Sequence, residues 1–396
     1  MDSKSLASRF GELVSFLSSV KGDLSNVTGP ISFLAPSSVV EVGHCWAERP
    51  HVFAAPGTEA DPARRALLVQ RLVLSALRPQ LYVAGAPGTS IKKPLNAFLG
   101  EVFCASWSDE QNKARTRLVA EQVSHHPPIT AMHVSSGEGE AMVRADGYAR
   151  VEMTFNGNVN IRQVGHAVVR VERYKEDHLF PLPDVKVRGF LSACLYPEIV
   201  GTYHIIGSSG YISEIKFSGA GVLRGKRNSF EARLFHKADP KKTIFKTVGC
   251  WSEGWTVKDP KGRTVDEYDV EALENLPAAM ELAPLEEQSP WESRRAWAGV
   301  ISNLGPGGDT RVAAAEKTKL EQAQRRMRAQ EKERGETWEP LLFASGKGDD
   351  HDVFHRLTEG TDWELCDDRT KGVWRIKGDV LAKTDRPVRG ELTPLG

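Results

Sequence analysis

The chain has 396 residues, 40% of them hydrophobic and 26% charged, and its 52 Lys+Arg balance 52 Asp+Glu. Such a composition suits a globular protein with a large core. The absence of net charge excludes the counterion-release attraction behind most nucleic-acid binding, so no nucleic-acid partner is expected.

In chain order, Leu6, Phe10, Leu13, Val14, Leu17 and Val20 recur at helical spacing with a serine-rich opposite face. They predict an amphipathic helix that stops at KGDLSNVTGP, with a hinge between Ser25 and Pro30. DPARRALLVQRLVLSALRP predicts a second helix, capped by Asp61 ahead of Pro62 and broken at Pro79. From about Leu95 to Tyr268 the texture turns to short alternating or β-branched runs, among them AFLGEVFCASW, TRLVAEQV, ITAMHVSS, NVNIRQV and HAVVRVERY. So many strands at hairpin spacing predict one large antiparallel sheet, which closes most easily as a barrel with room for a ligand. From about Ser289 the pattern is helical and charged, in SPWESRRAWAGVISNL and AAAEKTKLEQAQRRMRAQEKERG.

Five cysteines, odd in number and without a C-x-x-C pair, argue for a reducing compartment and against a disulfide framework or zinc site. The N-terminus lacks a signal-peptide core and no apolar run is long enough to span a bilayer. A cytoplasmic protein is expected, with only peripheral and transient membrane contact.

Residues 121–128 read EQVSHHPP. Proline has no N–H and holds the preceding residue extended, so His125 and His126 belong at a strand end. By themselves they have two readings, a binding pair or one core and one surface histidine on opposite faces of a strand. Tandem imidazoles on extended backbone, with no carboxylate or thiol motif beside them, make a poor metal site, and no metal or cofactor is expected. Three other stretches carry little. FSGAGVLRG at 217–225 has the wrong spacing for a nucleotide loop and reads as a hairpin. Ser124 has no G-x-S-x-G elbow, so no hydrolase and no enzyme is expected. DEYDVEA at 266–272 faintly resembles an acidic tract read by an endoplasmic-reticulum receptor, but its tyrosine fits strand packing.

Three stretches together, KKPLNAFLGE at 92–101, EQVSHHPP at 121–128 and PLEEQSPWESRRAW at 284–297, resemble the signatures of the oxysterol-binding protein family in order and spacing. The similarity runs from the N-terminal helix to about Trp338, and the final stretch matches poorly. The resemblance is to short members made of the lipid-binding domain alone. It implies a mainly β fold with helices: a large incomplete antiparallel barrel around a lipid tunnel. The expected divisions are a lid over 1–28, a helical plug over 29–100, the barrel over 101–286 and a C-terminal helical subdomain over 287–396.

The function it implies is a monomeric, non-enzymatic carrier that exchanges a sterol for phosphatidylinositol 4-phosphate between membranes. Two alternatives are a carrier whose second lipid is not a sterol, for example phosphatidylserine, and a phosphoinositide-dependent sensor. Carried over by position, the phosphoinositide residues are Lys93, Leu95, Asn96, His125, His126, Lys317, Glu321 and Arg325. The last three, spaced i, i+4, i+8, fall on one helix face. The matching sterol-site positions are Trp46, Gln80 and Gln163. Ala149 stands where the family has Asn and Leu81 where it has Tyr, with Tyr82 as the expected substitute. The lid residues are Leu6, Phe10, Leu13, Val14 and Leu17.

Overall fold

The computed structural model describes residues 6–396 apart from 21, 26, 28, 191, 193, 220–225, 306 and 379–388, with side chains from Phe10 onward. The chain opens with helix α1 (Leu6–Ser19), followed by β1 (Leu34–Ser38) and the short helices α2 (His44–Ala47) and α3 (Pro50–Ala54). Helix α4 (Pro62–Leu81) comes next, and β2 (Lys93–Leu95) then pairs in parallel with β1. Asp61 caps α4 as expected, its Oδ1 accepting from the amides of Ala63 at 2.8 Å and Arg64 at 3.0 Å. The helix does not break at Pro79. A proline in the last turn forfeits one donor, and the Tyr82 amide still closes onto the Arg78 carbonyl at 3.0 Å.

The main sheet begins with β3 (Val102–Asp109), β4 (Ala114–His125), β5 (Pro128–Ser136), β6 (Val143–Phe155), β7 (Val159–Val171) and β8 (Glu176–Pro181). It continues through β9 (Val185–Arg188), β10 (Tyr196–Ile199), β11 (Gly201–Gly207), β12 (Tyr211–Ser218) and β13 (Ser229–His236). The last strands are β14 (Phe245–Cys250), β15 (Gly254–Lys258), β16 (Thr264–Asp269) and β17 (Met280–Glu281). All neighbours in this sheet are antiparallel, and its edges β16 and β17 do not pair with each other, so the barrel stays incomplete.

Two runs that read as separate strands, NVNIRQV and HAVVRVERY, form the single strand β7, paired with β6 from Val143↔Val171 to Phe155↔Val159. Gly165 between them has φ +143° and sits in the ladder without a register shift. AFLG at the head of AFLGEVFCASW is a turn, with the Gly100 amide donating to the Gln122 carbonyl at 2.9 Å. FSGAGVLRG falls partly outside the described residues, but the strands flanking it, β12 and β13, pair antiparallel. Tyr268 of DEYDVEA is buried in β16 and stacks on Trp255 at 4.3 Å, so that tract is sheet.

One core joins Phe53, Leu72 and Leu74 of the N-terminal helices to Leu118 and Val169 of the sheet and to Trp251 in the turn after β14. A second core joins Phe98 and Ile129 to Trp291, Trp297, Leu320 and Phe343. It is built by α5 (Ser293–Ala296), α6 (Ala298–Leu304) and the long α7 (Thr310–Arg334), which starts at the Asp309 cap and ends at Gly335, φ +67°. The C-terminal part is thus helical to Arg334. Beyond that it is mixed: β18 (Phe343–Gly346) pairs with β19 (Val373–Ile376) around α8 (Asp352–Thr358). Its buried residues Leu342, Phe343, Val373 and Trp374 join the second core from short extended segments, which is why no helical period shows there. Among the described residues no helix is long and apolar enough to cross a membrane.

Candidate functional site: a covered tunnel and a basic cleft

An apolar cavity of about 230 Å³ lies inside the sheet, walled by Val151 and Met153 of β6, Val159 and Ile161 of β7, and Val185 and Val187 of β9. Helix α1 lies over it. Leu13, Phe16 and Leu17 line the cavity, Phe10 and Leu13 are buried, Val14 is half-buried, and the Phe10 ring meets Phe33 edge-on at 5.6 Å. Leu6 lies within α1, but its side chain is outside the described ones. Phe16 was not singled out by the helical reading. The link after α1 is tied to the barrel rim: the Met153 amide donates to Asp23 Oδ1 at 2.8 Å and the Leu24 amide to the Met153 carbonyl at 2.7 Å. The expected hinge at 25–30 therefore lies just beyond a fixed clasp at Asp23 and Leu24.

A second chamber of about 90 Å³ continues inward, sharing Val39, Val42, Gln80, Val151 and Gln163 with the first. Trp46 and Ala149 line it, so Trp46, Gln80 and Gln163 all reach the deep end of one tunnel. Leu81 lines the tunnel as an apolar wall. Tyr82 does not take its place. Its buried hydroxyl accepts from Asn228 Nδ2 at 2.9 Å and its ring packs 5.9 Å from Trp251, because the step past the end of α4 carries it away from the tunnel.

Outside the tunnel mouth, Asn96, His125, His126, Glu321 and Arg325 line one cleft of about 630 Å³. The EQVSHHPP run does not end at its prolines but reverses there: His125 pairs with Pro128, leaving His126 and Pro127 as a two-residue hairpin loop. A bulge between Gln122 and Ser124 precedes it. Strand alternation is lost at such a turn, so the two rings converge at 4.7 Å instead of facing apart. His125 Nδ1 lies 3.0 Å from the Ala97 carbonyl, which only accepts, so this nitrogen carries a hydrogen. Burial, then the neighbouring His126, holds the imidazolium below its usual range. The free ring is therefore neutral at pH 7, with Nε2 bare.

Lys93 stands between tunnel and cleft. It lines the tunnel, and its Nζ donates to Asn96 Oδ1 and to the Val27 carbonyl of the lid link, both at 2.9 Å. Burial pushes its ammonium down to about 8, helped by the Lys317 charge. On α7 the i, i+4, i+8 stripe runs from inside to outside: Lys317 is buried and ion-paired with Glu321, Glu321 is half-buried, and Arg325 is exposed. Leu95 departs from expectation. Its side chain is fully buried in the second core, so only its backbone is left to meet a ligand.

Sequence reasoning missed Arg328, Trp338 and Lys371, which also line the cleft. Arg328 lies three residues beyond Arg325 on α7 and was within reach of a helical-spacing argument. Trp338, with the guanidinium groups of Arg328 at 4.5 Å and Arg389 at 3.9 Å from its ring, comes from irregular chain that gives no such signal. Two acidic residues of the signature stretches, Glu101 and Glu121, turn out to be structural. Buried Glu121 accepts from the amides of Leu341 at 2.6 Å and Leu342 at 2.7 Å, pinning the C-terminal segment. Buried Glu101 accepts from the Trp297 indole at 2.9 Å, and burial pushes its carboxyl up to about 7. Trp291 and Trp297 flank Phe98 at 5.9 and 6.0 Å, so all three signatures meet behind the cleft.

A family profile described as oxysterol-binding protein matches residues 12–301. The chain is 43% identical over 383 residues to the "Probable transporter efuK" of Hormonema carpetanum, covering 96% of this chain and 54% of that protein. It therefore spans about half the length of that relative. It is 35% identical over 337 residues to Protein kes1 of Schizosaccharomyces pombe, covering 83% of this chain and 86% of that one. Among solved structures, the Osh1 ORD domain in complex with ergosterol superposes with a TM-score of 0.71 at 20% identity, over 96% of this chain and 88% of that one. The Osh3 ORD of Saccharomyces cerevisiae in complex with PI(4)P gives 0.66 at 20% identity, over 84% and 87%. Both superpositions share this fold, and the profile match over most of the chain, with the 35% identity to kes1, establishes that the chain belongs to the oxysterol-binding protein family.

Proposed function

We propose that the protein carries one lipid at a time, with sterol and phosphatidylinositol 4-phosphate as alternating cargoes taken up during peripheral contact with membranes. The observation that carries this reading is a tunnel walled by aliphatic side chains and roofed by α1, linked through Lys93 and its bond to Asn96 to a cleft lined by His125, His126 and Arg325. A hydrocarbon body fits the former by burial and a phosphorylated inositol the latter through charge-assisted bonds. In this arrangement Lys93 and the His125–His126 pair hold the phosphate, Glu321 and Asn96 accept from inositol hydroxyls, and Arg325 closes the outer side. Lys317 keeps Glu321 in place. A sterol instead lies wholly in the tunnel with its hydroxyl at Trp46, Gln80 and Gln163. The bound sterol of the Osh1 domain and the bound PI(4)P of the Osh3 domain, in the same fold, support both halves.

The test is transfer between two liposome populations, one loaded with fluorescent sterol and the other with phosphatidylinositol 4-phosphate. Catalytic amounts of protein should accelerate both movements, each faster when the other lipid is present. Extraction of lipid without transfer would make the protein a sensor, and phosphoinositide transfer with no sterol movement would leave a non-sterol second cargo such as phosphatidylserine.

A further inference from the structure

The deep chamber has a wall from which side chains are missing. Strands alternate their faces, so Gly147, Ala149 and Val151 of β6 look the same way, toward the chamber they line. Opposite them in register stand Ala167, Gly165 and Gln163 of β7. Of these, Gly147, Ala149 and Ala167 line the chamber and carry nothing beyond Cβ. Met132 of β5 is paired with Gly147 and its Cε lies over it, 3.3 Å from where a Cβ would stand, so the open part of the wall is Ala149 and Ala167, with Trp46 of α2 also lining the chamber.

Polar partners there are few. The Thr130 hydroxyl donates to Gln122 Oε1 at 2.6 Å, and Gln163 Nε2 to the Pro183 carbonyl at 2.7 Å. Gln80, where tunnel and chamber meet, and Trp46, which lines the chamber, offer an amide and an indole N–H at which a ring alcohol would bind. Carbon next to that alcohol then faces the Ala149–Ala167 wall. Such a surface offers water no partners, so a cargo that leaves the space unfilled loses contact on that side.

Resting on the sterol half of the proposed function, we propose that the chamber accepts alkyl groups flanking the hydroxyl, so that the protein prefers 4,4-dimethyl sterols and related triterpene alcohols to 4-desmethyl sterols. Ala149 and Ala167 are the positions that set this preference.

The experiment is competitive extraction by the full chain from liposomes containing equal lanosterol and ergosterol, with the bound lipid quantified by mass spectrometry. One carbon in a fitted apolar site discriminates by about 10–200-fold, so lanosterol should exceed ergosterol in the bound fraction by about tenfold or more. Ala149→Val and Ala167→Val, each checked for folding by near-UV circular dichroism, should lower that ratio about tenfold. Equal uptake, or a preference for ergosterol by the unmodified chain, overturns the inference while leaving the sterol reading intact. Extraction of phosphatidylinositol 4-phosphate with neither sterol bound overturns both.

Discussion

Lys93 concentrates the electrostatics of the mouth in one side chain. Its ammonium is pushed down to about 8 by burial and by Lys317, while the His125 imidazolium is held low by burial and His126. A bound phosphate favours the charged form of each group, so binding draws protons in wherever the free protein has lost them. Above pH about 8 the free Lys93 amine is neutral, and headgroup affinity should fall by up to about tenfold per pH unit. Below pH 7 the sign is the same: protonation of His125 becomes easier and affinity rises. Lys93→Arg, whose guanidinium does not titrate in this range, should flatten the alkaline limb. Liposome flotation at pH 6, 7, 8 and 9 reads this directly, and an affinity independent of pH would remove Lys93 and His125 from the headgroup contact. Replacing both His125 and His126 by Ala removes two charge-assisted bonds of about 1.5–3 kcal/mol each and should weaken phosphoinositide binding by about 100-fold or more. Sterol extraction by the same variant reports whether its tunnel is still formed. The convergence of these two rings was not legible in the sequence, because strand alternation sends neighbours to opposite faces and only the hairpin turn at Pro127 reverses that.

At the scale of elements, α1 is the movable part. A helix of 14 residues is marginal by itself. Its apolar face covers the tunnel and meets Phe33, with Phe10 and Leu13 joining the main core there. Two ties hold its base, the Asp23–Met153 clasp and the bond from Lys93 to the Val27 carbonyl. Phe10→Asp or Leu13→Asp should therefore release the helix and lower lipid retention several-fold, with the barrel still folded. Deleting residues 1–28 should do the same. Hydrogen exchange gives the finer comparison: the α1 amides should be better protected in lipid-loaded than in empty protein, and equal protection would make α1 a fixed part of the wall. The amphipathic period of α1 and the capping of α4 by Asp61 were both readable from the sequence, since each depends on residues within a few positions. The fusion of two runs into β7 and the clasp at Met153 were not, since they depend on pairing with distant chain.

The whole molecule is held together on its far side by contacts from the C-terminal segment. His351 and Arg375 come from that segment, His166 and Tyr148 from the barrel. Arg375 can only donate, so His351 Nδ1 accepts at 2.7 Å, leaving His351 Nε2–H to donate to His166 Nε2 at 2.8 Å. Both rings are neutral: burial, helped for His166 by His351 and for His351 by Arg375, pushes them down to about 3 and about 4. An unfolded chain takes up protons on these histidines below about 6.5, whereas the folded one does not until about 4. Stability contributed by the pair is therefore full above 6.5 and lost as pH falls toward 4, by at most about 1.4 kcal/mol per pH unit for each ring. Urea midpoints at pH 7 and 5 should differ more for the unmodified chain than for His351→Gln. A difference of the same size in both would place the acid sensitivity elsewhere. The C-terminal half of this contact lies beyond the residues 12–301 that the family profile matches, and the segment's short extended pieces left no periodic pattern to read.

The account turns on one cavity serving two cargoes in turn, a hydrocarbon body in the tunnel and a phosphate at its mouth. The direct measurement is native mass spectrometry of the protein after incubation with liposomes containing both a sterol and phosphatidylinositol 4-phosphate. The account predicts a single lipid per chain, with either cargo displacing the other as its share of the membrane rises. A species carrying both lipids at once, or a chain that leaves the liposomes empty, would contradict it.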